Sequence, residues 1–369
     1  MTMMPYILSF YFRDSSDDIK LVKAYDTDIQ SFQSGTYTSI DEIVTKITPW
    51  IRHKNMHGNY FMNGRVEKID NPLLDSSLVF IHHPRTGGSK LIECLNNISL
   101  SYNLPMSPLM TSKNRELWDT GNPDTNSFRD KIKIHRGKFS FGMCENFNKK
   151  CSYVILLRDP LERIASSHKY CQTFANDETC GHLDARETSL RDWILSQRSV
   201  LFKQLLFSPH FCNDDQLKKY NLSAHYTNSM SCWTKNNLIL EHLTEDYKDN
   251  ITKYIVDNLH KMISLIGLSE ELELSLRMLE KSFKFPFTTC NMKSPHQIHL
   301  NNEINSNRAL KNHVHDETAS MNEIEDDSDV TNLVDDVYIQ KALSSDYAIY
   351  KEAKRIFHIQ KQNMMNTVR

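Results

Sequence analysis

The sequence predicts an α/β fold in which helices flank a central, mainly parallel sheet. From about residue 73 to residue 290, short apolar runs alternate with longer amphipathic segments, as expected for strands that alternate with helices. Two of the runs, Leu78–Ile81 and Tyr153–Leu157, are apolar at every position. Strands of parallel sheets have this composition because helices cover both faces of the sheet.

The first half of this region contains three further predicted elements. Ser89–Asn97 has helical periodicity and follows the first strand. Ile132–His135 alternates in polarity and predicts another strand. A helix is predicted to start at Pro160, a residue that suits the first helical turn, and to run to about Tyr170.

The second half continues the alternation of helix and strand. Apolar residues at helical spacing, from Ile251 to Leu259, predict a helix. Met262–Ile266 predicts a strand that Gly267 ends. Ser269, followed by two acidic residues, predicts the start of another helix because hydroxyl and carboxylate groups stabilise helix N-termini.

Composition changes divide the chain into a domain and its appendages. Residues 1–72 form an N-terminal extension with a helical patch near Ile40–Ile51, and residues 73–361 form the domain. An acidic and Asn-rich loop insertion is predicted at about 291–337, with Glu323–Asp329 as a solvated loop. The spacing of Tyr347, Tyr350, Ala353 and Phe357 predicts a C-terminal helix over about 338–361.

Overall composition excludes several classes of protein. The 44 Lys and Arg residues nearly balance the 46 Asp and Glu residues, which argues against a nucleic-acid partner. No apolar stretch approaches the roughly 20 residues that span a bilayer, and the apolar segment Tyr6–Phe12 lacks the flanks of a signal peptide. The eight cysteines form no C-x-x-C pair, so zinc is not expected. Their even number leaves both disulfides and free thiols open.

The segment after the first strand has the character of a phosphate-binding loop. Its residues are Pro84, Arg85, Thr86, Gly87, Gly88, Ser89 and Lys90. Glycines let backbone N–H groups approach an anion, and the arginine, the hydroxyls and a helix N-terminus add favourable charge. The segment does not match G-x-x-x-x-G-K-[ST], so a kinase or ATPase is disfavoured. The alternative is a strand-to-helix turn in which the glycines serve geometry alone.

A second anion site is predicted after the strand Tyr153–Leu157. Arg158 follows the carboxyl end of the strand, where open α/β sheets bind ligands. Ser166 lies two turns into the next helix and could donate a short hydrogen bond to the same anion. We interpret Arg163 as structural and expect it to form an ion pair with Asp159 or Glu162.

Together, the sequences PRTGGS and RDPLERIAS resemble the two cofactor-binding motifs of sulfotransferases that use 3′-phosphoadenosine 5′-phosphosulfate (PAPS). They are most similar to the glycan branch, the heparan sulfate 2-O- and 6-O-sulfotransferases and their bacterial relatives. Asn258–Glu271 and Asp346–Lys354 resemble two later motifs of the same family. The resemblance covers about residues 73–361 and implies the P-loop-like sulfotransferase fold.

The resemblance also implies roles for the residues of both motifs. Arg85, Thr86, Gly87, Gly88, Ser89 and Lys90 would bind the 5′-phosphosulfate, and Arg158 with Ser166 would bind the 3′-phosphate. Arg85 stands where Lys is commoner, and would neutralise charge on the bridging oxygen as the sulfuryl group leaves. Lys90 stands where the glycan branch usually has Ser or Thr.

The predicted general base is His135, at the end of the strand between the two motifs. Many relatives carry a histidine where this chain has Lys138, whereas the 6-O branch places its base at the strand end, as His135 is placed. Lys138 would then contact the acceptor's anionic groups or the sulfate. The alternative is that His135 is a hydrogen-bonded strand residue and that the chain has no base.

The expected activity is transfer of a sulfuryl group from PAPS to a carbohydrate hydroxyl, with a glycosaminoglycan-like polysaccharide as partner and no metal. Two alternatives stay open: an acceptor that is a small alcohol, phenol or peptide tyrosine, or a catalytically weak relative that binds glycans or nucleotides. The resemblance implies a Golgi location, with membrane association only through an anchor upstream of this sequence.

Overall fold

The computed structural model describes residues 56–62, 73, 76–120, 129–146, 149–181, 183–208, 230–241, 243–290 and 327–366. The helical patch predicted near Ile40–Ile51 and the stretch 291–326 of the predicted insertion lie outside these ranges. Within them, no helix is both long enough and apolar enough to cross a membrane.

The described residues form a central sheet of five parallel strands, in agreement with the predicted central, mainly parallel sheet. The strands are β1 (Ser76–Ile81), β2 (Met106–Leu109), β3 (Ile134–Gly137), β4 (Lys150–Leu157) and β5 (Leu265–Leu268). Their order across the sheet is β2-β3-β1-β4-β5. The two continuous apolar runs of the sequence are the neighbouring strands β1 and β4, and every residue of β1 is buried.

Helices flank the sheet and provide its crossover connections. In the described ranges they are α1 (Gly88–Ser101), α2 (Ser112–Thr120), α3 (Pro160–Thr173), α4 (Leu190–Gln197), α5 (Val200–Leu205), α6 (Cys232–Glu241), α7 (Glu245–Met262), α8 (Leu272–Phe283), α9 (Asp327–Leu333), α10 (Val337–Ala342) and α11 (Ser344–Asn366). Short 3-10 turns occur at Met143–Asn146 and Phe287–Thr289.

The predictions around β5 were wrong in detail. The strand includes Gly267 instead of ending before it. A β-carbon at this glycine would lie 2.4 Å from Cδ2 of Leu156 and 2.9 Å from Cβ of Ser275, so the glycine serves close packing rather than strand termination. The following helix begins at Leu272, with Glu271 as N-cap, and not at Ser269.

Strand β2 was not predicted because it is only four residues long and has no continuous apolar run. It contains Pro108, and its register against β3 shifts between Met106 and Leu109. Proline has no N–H group to donate to a neighbouring strand. It is tolerated in an edge strand, where one side has no neighbour that needs this donor. This strand lies at one end of the strand order.

The C-terminal helix α11 packs on the other edge of the sheet. It buries Tyr350, Ala353 and Phe357, as their spacing predicted, and also Ile349, whereas Tyr347 is half-buried. Gln360, which is fully buried, donates from Nε2 to the Ile266 carbonyl at 2.7 Å and accepts from the Ile266 N–H at 3.1 Å. The predicted acidic loop is partly helical, since Asp327–Asp329 belong to α9.

Residues 56–62 of the predicted N-terminal extension pack against the same core. Tyr60 and Phe61 are buried. The Tyr60 hydroxyl and Ser152 Oγ lie 2.7 Å apart, and Asn59 Nδ2 donates to the Ile263 carbonyl at 3.2 Å. This part of the extension therefore contributes to the stability of the domain.

The disulfide question that the sequence left open is answered for the described cysteines, none of which is a free thiol. Disulfides join Cys94 with Cys290, Cys144 with Cys151, and Cys171 with Cys180. The last pair closes a short loop directly after α3.

Candidate functional site

Strands β1 and β4 flank the point where the sheet's connections diverge. The chain leaves β1 through α1 toward β2 on one side, and it leaves β4 through α3 toward β5 on the other. Such a switch point opens a crevice at the carboxyl ends of the strands, where ligands of open α/β sheets bind. Both predicted anion-binding motifs begin at this crevice.

The loop between β1 and α1 has the backbone shape of an anion nest. Arg85 (φ 67°) and Gly87 (φ 82°) both adopt left-handed conformations. Alternation of this kind turns successive N–H groups toward one concavity. For a non-glycine residue such as Arg85 the left-handed conformation is unfavourable and is typical of functional sites.

Gly88 is required by the side chain of His82 rather than by its own backbone angle. A β-carbon on Gly88 would lie 2.2 Å from Cδ2 and 2.8 Å from Nε2 of the His82 ring. The ring therefore occupies the space that any other residue at position 88 would need.

The hydroxyls of this loop do not all face outward. Thr86 is fully buried and donates from Oγ1 to the His83 carbonyl at 2.8 Å, so its side chain holds the turn together. Ser89 and Lys90 are half-buried in the first turn of α1. Of the predicted loop ligands, Ser89 and Lys90 thus keep more accessible side chains than Thr86.

Arg85 connects the two predicted motifs. Its Nε donates to Ser166 Oγ at 3.1 Å, and its guanidinium carbon lies 4.9 Å from the centre of the Tyr170 ring. Both partners belong to α3, so the Arg85 side chain reaches across the crevice. Arg158 instead pairs with Glu162, with 3.1 Å between Nε and Oε2.

The expectation for Arg163 was wrong. Asp159 accepts hydrogen bonds from the Leu161 and Glu162 N–H groups as the N-cap of α3, and Glu162 pairs with Arg158. Arg163 is buried, with 2% of its surface exposed, and its Nε and Nη2 have no hydrogen-bond partner. Burial lowers the pKa of Arg163 to about 10, and Arg85 and Arg158 add to the shift while Asp346 opposes it.

Residues of the two later motifs hold the crevice in shape. Glu270 Oε1 accepts from the Asp159 N–H at 2.9 Å and from the Tyr350 hydroxyl at 2.8 Å. One carboxylate thereby connects the start of α3, the end of β5 and α11. In the sequence these residues belong to segments that resemble known motifs, but nothing there indicated that they meet.

Asp346, from the last motif, caps helix α5. Its carboxylate accepts from the Leu201 N–H at 3.0 Å and the Phe202 N–H at 2.9 Å. Burial raises the pKa of Asp346, against the effect of these hydrogen bonds and of the Arg163 charge.

Lys138 is paired within the protein. Its Nζ lies 2.6 Å from Asp177 Oδ2, and the Tyr170 hydroxyl donates to the same oxygen at 3.2 Å. Burial alone would raise the pKa of Asp177, but the charge of Lys138 and hydrogen bonds from Lys138 and Thr179 lower it to about 2. The Cys171–Cys180 disulfide closes the loop that carries Asp177. Sequence reasoning missed Asp177, which lies 39 residues from Lys138.

Gln204 of α5 joins the two strand ends beside the nest. Its Nε2 donates to the His82 carbonyl at 2.9 Å and to the Lys138 carbonyl at 2.6 Å. Its Oε1 lies 2.7 Å from Nδ1 of His83. A buried glutamine between two strand ends leaves no signal in a single sequence.

The structure does not bring His135 into this cluster. Its side chain is fully buried, and its ring packs edge-on against Trp118 at 5.5 Å between centroids. Burial, and then the charge of Lys149, lower the pKa of His135 to about 3. Lys149 donates to the Ile132 carbonyl just before β3, so this charge lies at the amino end of the strand, whereas Arg85 follows the carboxyl end of β1.

His82, which the sequence gave no definite role, lies against the nest. Burial and the charges of Lys138 and Arg85 lower the pKa of His82 to about 3, and Asp177 opposes the shift. Its imidazole is therefore neutral near pH 7, and a pKa this low makes it a weak base. A base must reach the reacting hydroxyl by a hydrogen bond; the His82 ring lies against Gly88 of the nest, whereas the His135 ring packs against Trp118.

Comparison with known proteins gave no assignment: no protein family matches the sequence, and no curated protein is significantly similar to it. Among the described residues, no group of three or more His, Cys, Asp or Glu side chains could hold a metal ion. The crevice combines a backbone nest, three arginines and a buried neutral histidine, a set suited to binding an anionic group.

Proposed function

We propose that the chain is a PAPS-dependent sulfotransferase that transfers a sulfuryl group to a hydroxyl of a carbohydrate. The observation that carries the proposal is the contact between Arg85 and Ser166. It joins the two motifs that resemble the 5′-phosphosulfate and 3′-phosphate sites, at the switch point of a parallel sheet. A simple strand-to-helix turn would need neither the strained Arg85 backbone nor this contact.

The proposed reaction is an in-line transfer. The bond between sulfur and the bridging oxygen breaks, a bond between sulfur and the acceptor oxygen forms, and the acceptor's proton passes to a base. The products are a sulfate ester and 3′-phosphoadenosine 5′-phosphate. Arg85, with the N–H groups of the nest, would neutralise charge that grows on the bridging oxygen, so its contribution is expected in the transition state.

The proposed nucleotide site includes Ser89 and Lys90 beside the nest, and Arg158 with Ser166 for the 3′-phosphate. Arg158 would exchange its partner Glu162 for the phosphate, since a half-exposed ion pair of this kind contributes little stability. The proposed base is His135 from the sequence or His82 from the geometry.

The direct test is transfer of radiolabelled sulfate from PAPS by the disulfide-intact protein. N-sulfated heparosan, a phenol and a tyrosine peptide serve as acceptors. Transfer to heparosan is expected, and transfer only to the phenol or peptide would support the alternative acceptor class. Binding of 3′-phosphoadenosine 5′-phosphate is measured in parallel by calorimetry, and its absence would reject the proposal.

A second candidate function is favoured by one observation, the ion pair between Lys138 and Asp177. It occupies the position where many relatives carry their base, and a catalytically weak protein that binds nucleotides or glycans would tolerate this. Nucleotide binding without transfer to any acceptor, followed by a large gain of activity in Lys138→His, would support this candidate.

A further inference from the structure

Arg163 is a buried cation whose charge the protein compensates incompletely. Its guanidinium is almost fully enclosed, and two of its three nitrogens have no hydrogen-bond partner. Burying a charge costs several kcal/mol unless it is paired and hydrogen-bonded. By contrast, the similarly buried Arg115 donates to the carbonyls of Phe139 and Phe141 and pairs with Asp119.

The position of Arg163 on α3 places it beside the nest. It lies one helical turn before Ser166, and residues three apart share a helix face. Ser166 is the residue that Arg85 contacts. The Arg163 charge also acts on His83, two residues before Arg85 in the loop.

The charges around Arg163 leave a positive excess at the crevice. The positive charges of Arg85 and Arg158 repel the charge of Arg163, and the negative charge of Asp346 compensates it in part. The Asp346 carboxylate, however, already accepts two backbone hydrogen bonds from α5. Glu162 is paired with Arg158. An anion in the nest would supply the missing negative charge.

We propose that Arg163 is a third anion-binding arginine of this crevice and stabilises the anion that binds in the loop 82–88. Its unpartnered N–H groups and charge act together with Arg85, and the charge of Asp346 compensates part of the Arg163 charge. The nature of the anion, a nucleotide phosphate or phosphosulfate group, rests on the proposed function. The binding role itself would hold for inorganic pyrophosphate or sulfate.

The test compares Arg163→Met with wild type in thermal unfolding and calorimetry, using inorganic pyrophosphate, sulfate and 3′-phosphoadenosine 5′-phosphate as ligands. Methionine fills a similar volume without charge, and replacing a poorly compensated buried ion by an apolar residue is often neutral or stabilising. We expect Arg163→Met to unfold, without ligand, at or above the wild-type temperature. Its affinity for the anions should fall at least tenfold, and Arg163→Lys should retain part of the affinity.

Arg115→Met is the matched control because Arg115 is also buried but forms hydrogen bonds through both Nε and Nη1. It should unfold at a lower temperature and bind the anions as wild type does. A strongly destabilised or unfolded Arg163→Met, or one with unchanged anion affinity, would show that the Arg163 charge serves the fold and not anion binding, and would overturn the inference. Wild type that binds pyrophosphate, in an Arg163-dependent manner, but not the nucleotide would overturn the proposed function and leave the inference standing.

Discussion

At the scale of single residues, the contact between Gly88 and His82 gives the most direct test of the nest. In Gly88→Ala the new β-carbon would overlap the His82 ring, so the ring or the loop must move. We expect the affinity for 3′-phosphoadenosine 5′-phosphate, measured by calorimetry, to fall at least tenfold while the circular dichroism spectrum is unchanged.

Gly58→Ala is the matched control, since nothing lies within 4 Å of a β-carbon at that position. It should bind the nucleotide as wild type does. Equal affinities of Gly88→Ala and wild type would mean that the loop geometry does not determine anion binding.

The pH dependence of transfer follows from the burial of both candidate bases. The pKa of His82 and of His135 is lowered to about 3, and only the neutral imidazole accepts a proton. Protonation would remove activity as the pH falls through about 3, so kcat should not decline between pH 8 and pH 5 because of the base. Steady-state rates across this range provide the measurement.

Single substitutions then distinguish the two histidines. Replacing the true base by Asn should lower kcat by about two to four orders of magnitude, the usual contribution of general-base catalysis. Replacing the other should leave a measurable fraction of the activity. A rate that falls with a midpoint near pH 6.5 would instead indicate an accessible histidine as base.

At the scale of elements, the sequence was informative where burial left continuous apolar runs and uninformative at the sheet edges. β1, β4 and the helices after them were predicted because these strands are covered on both faces. β2 is short and contains Pro108, and β5 contains Gly267. Proline and glycine are not typical of strands. The two strands that contain them form because of their tertiary packing.

In the candidate site, too, the sequence predicted features that local patterns define and missed contacts between distant segments. The nest and α3 were found because local patterns define them. The pairing of Lys138 with Asp177 and the position of Gln204 were not, since they depend on contacts between distant segments. The expectation for Arg163 failed because spacing along a helix shows which side chains are neighbours, but not which face is buried.

The hydrogen bond from Tyr350 to Glu270 tests whether α11 supports the crevice. Tyr350→Phe removes one donor from the carboxylate that also accepts the Asp159 N–H. Loss of such a bond costs about 1 kcal/mol of unfolding free energy. Glu270 also holds the Asp159 backbone, next to the proposed phosphate ligand Arg158, so nucleotide affinity should fall a few-fold. Urea denaturation and calorimetry measure the two effects.

Tyr338→Phe, on the exposed face of α10, is the control for this experiment. It should change neither quantity. An unchanged affinity in Tyr350→Phe would mean that α11 stabilises the fold without influencing the site.

At the scale of the whole molecule, buried histidines make folding stability depend on pH. His82, His83 and His135 are all buried, and burial lowers the pKa of each below its ordinary value. The unfolded chain therefore takes up protons below about pH 6.5 that the folded protein does not. The free energy of unfolding therefore falls as the pH decreases from that value. At the limit the unfolded chain binds about three more protons than the folded protein, which corresponds to roughly 4 kcal/mol per pH unit.

Urea denaturation of the disulfide-intact protein at pH 7.5, 6 and 5 checks this expectation. His82→Asn should reduce the slope by about one proton. Stability that is constant from pH 7 to pH 5 would contradict the burial of these side chains.

The carboxamide of Gln360 affects the tendency of this protein to self-associate through its sheet. The carboxamide bonds to both backbone groups of Ile266 and so occupies the place where a further strand would pair with β5. At the opposite edge, Pro108 and the irregular register of β2 against β3 disfavour the addition of a strand. Open sheet edges are templates for intermolecular pairing and aggregation. Gln360→Leu would leave Ile266 without these partners, so during storage at high concentration we expect light scattering to rise in this variant well before it does in wild type. Helix α11 thus acts against self-association through this edge of the sheet.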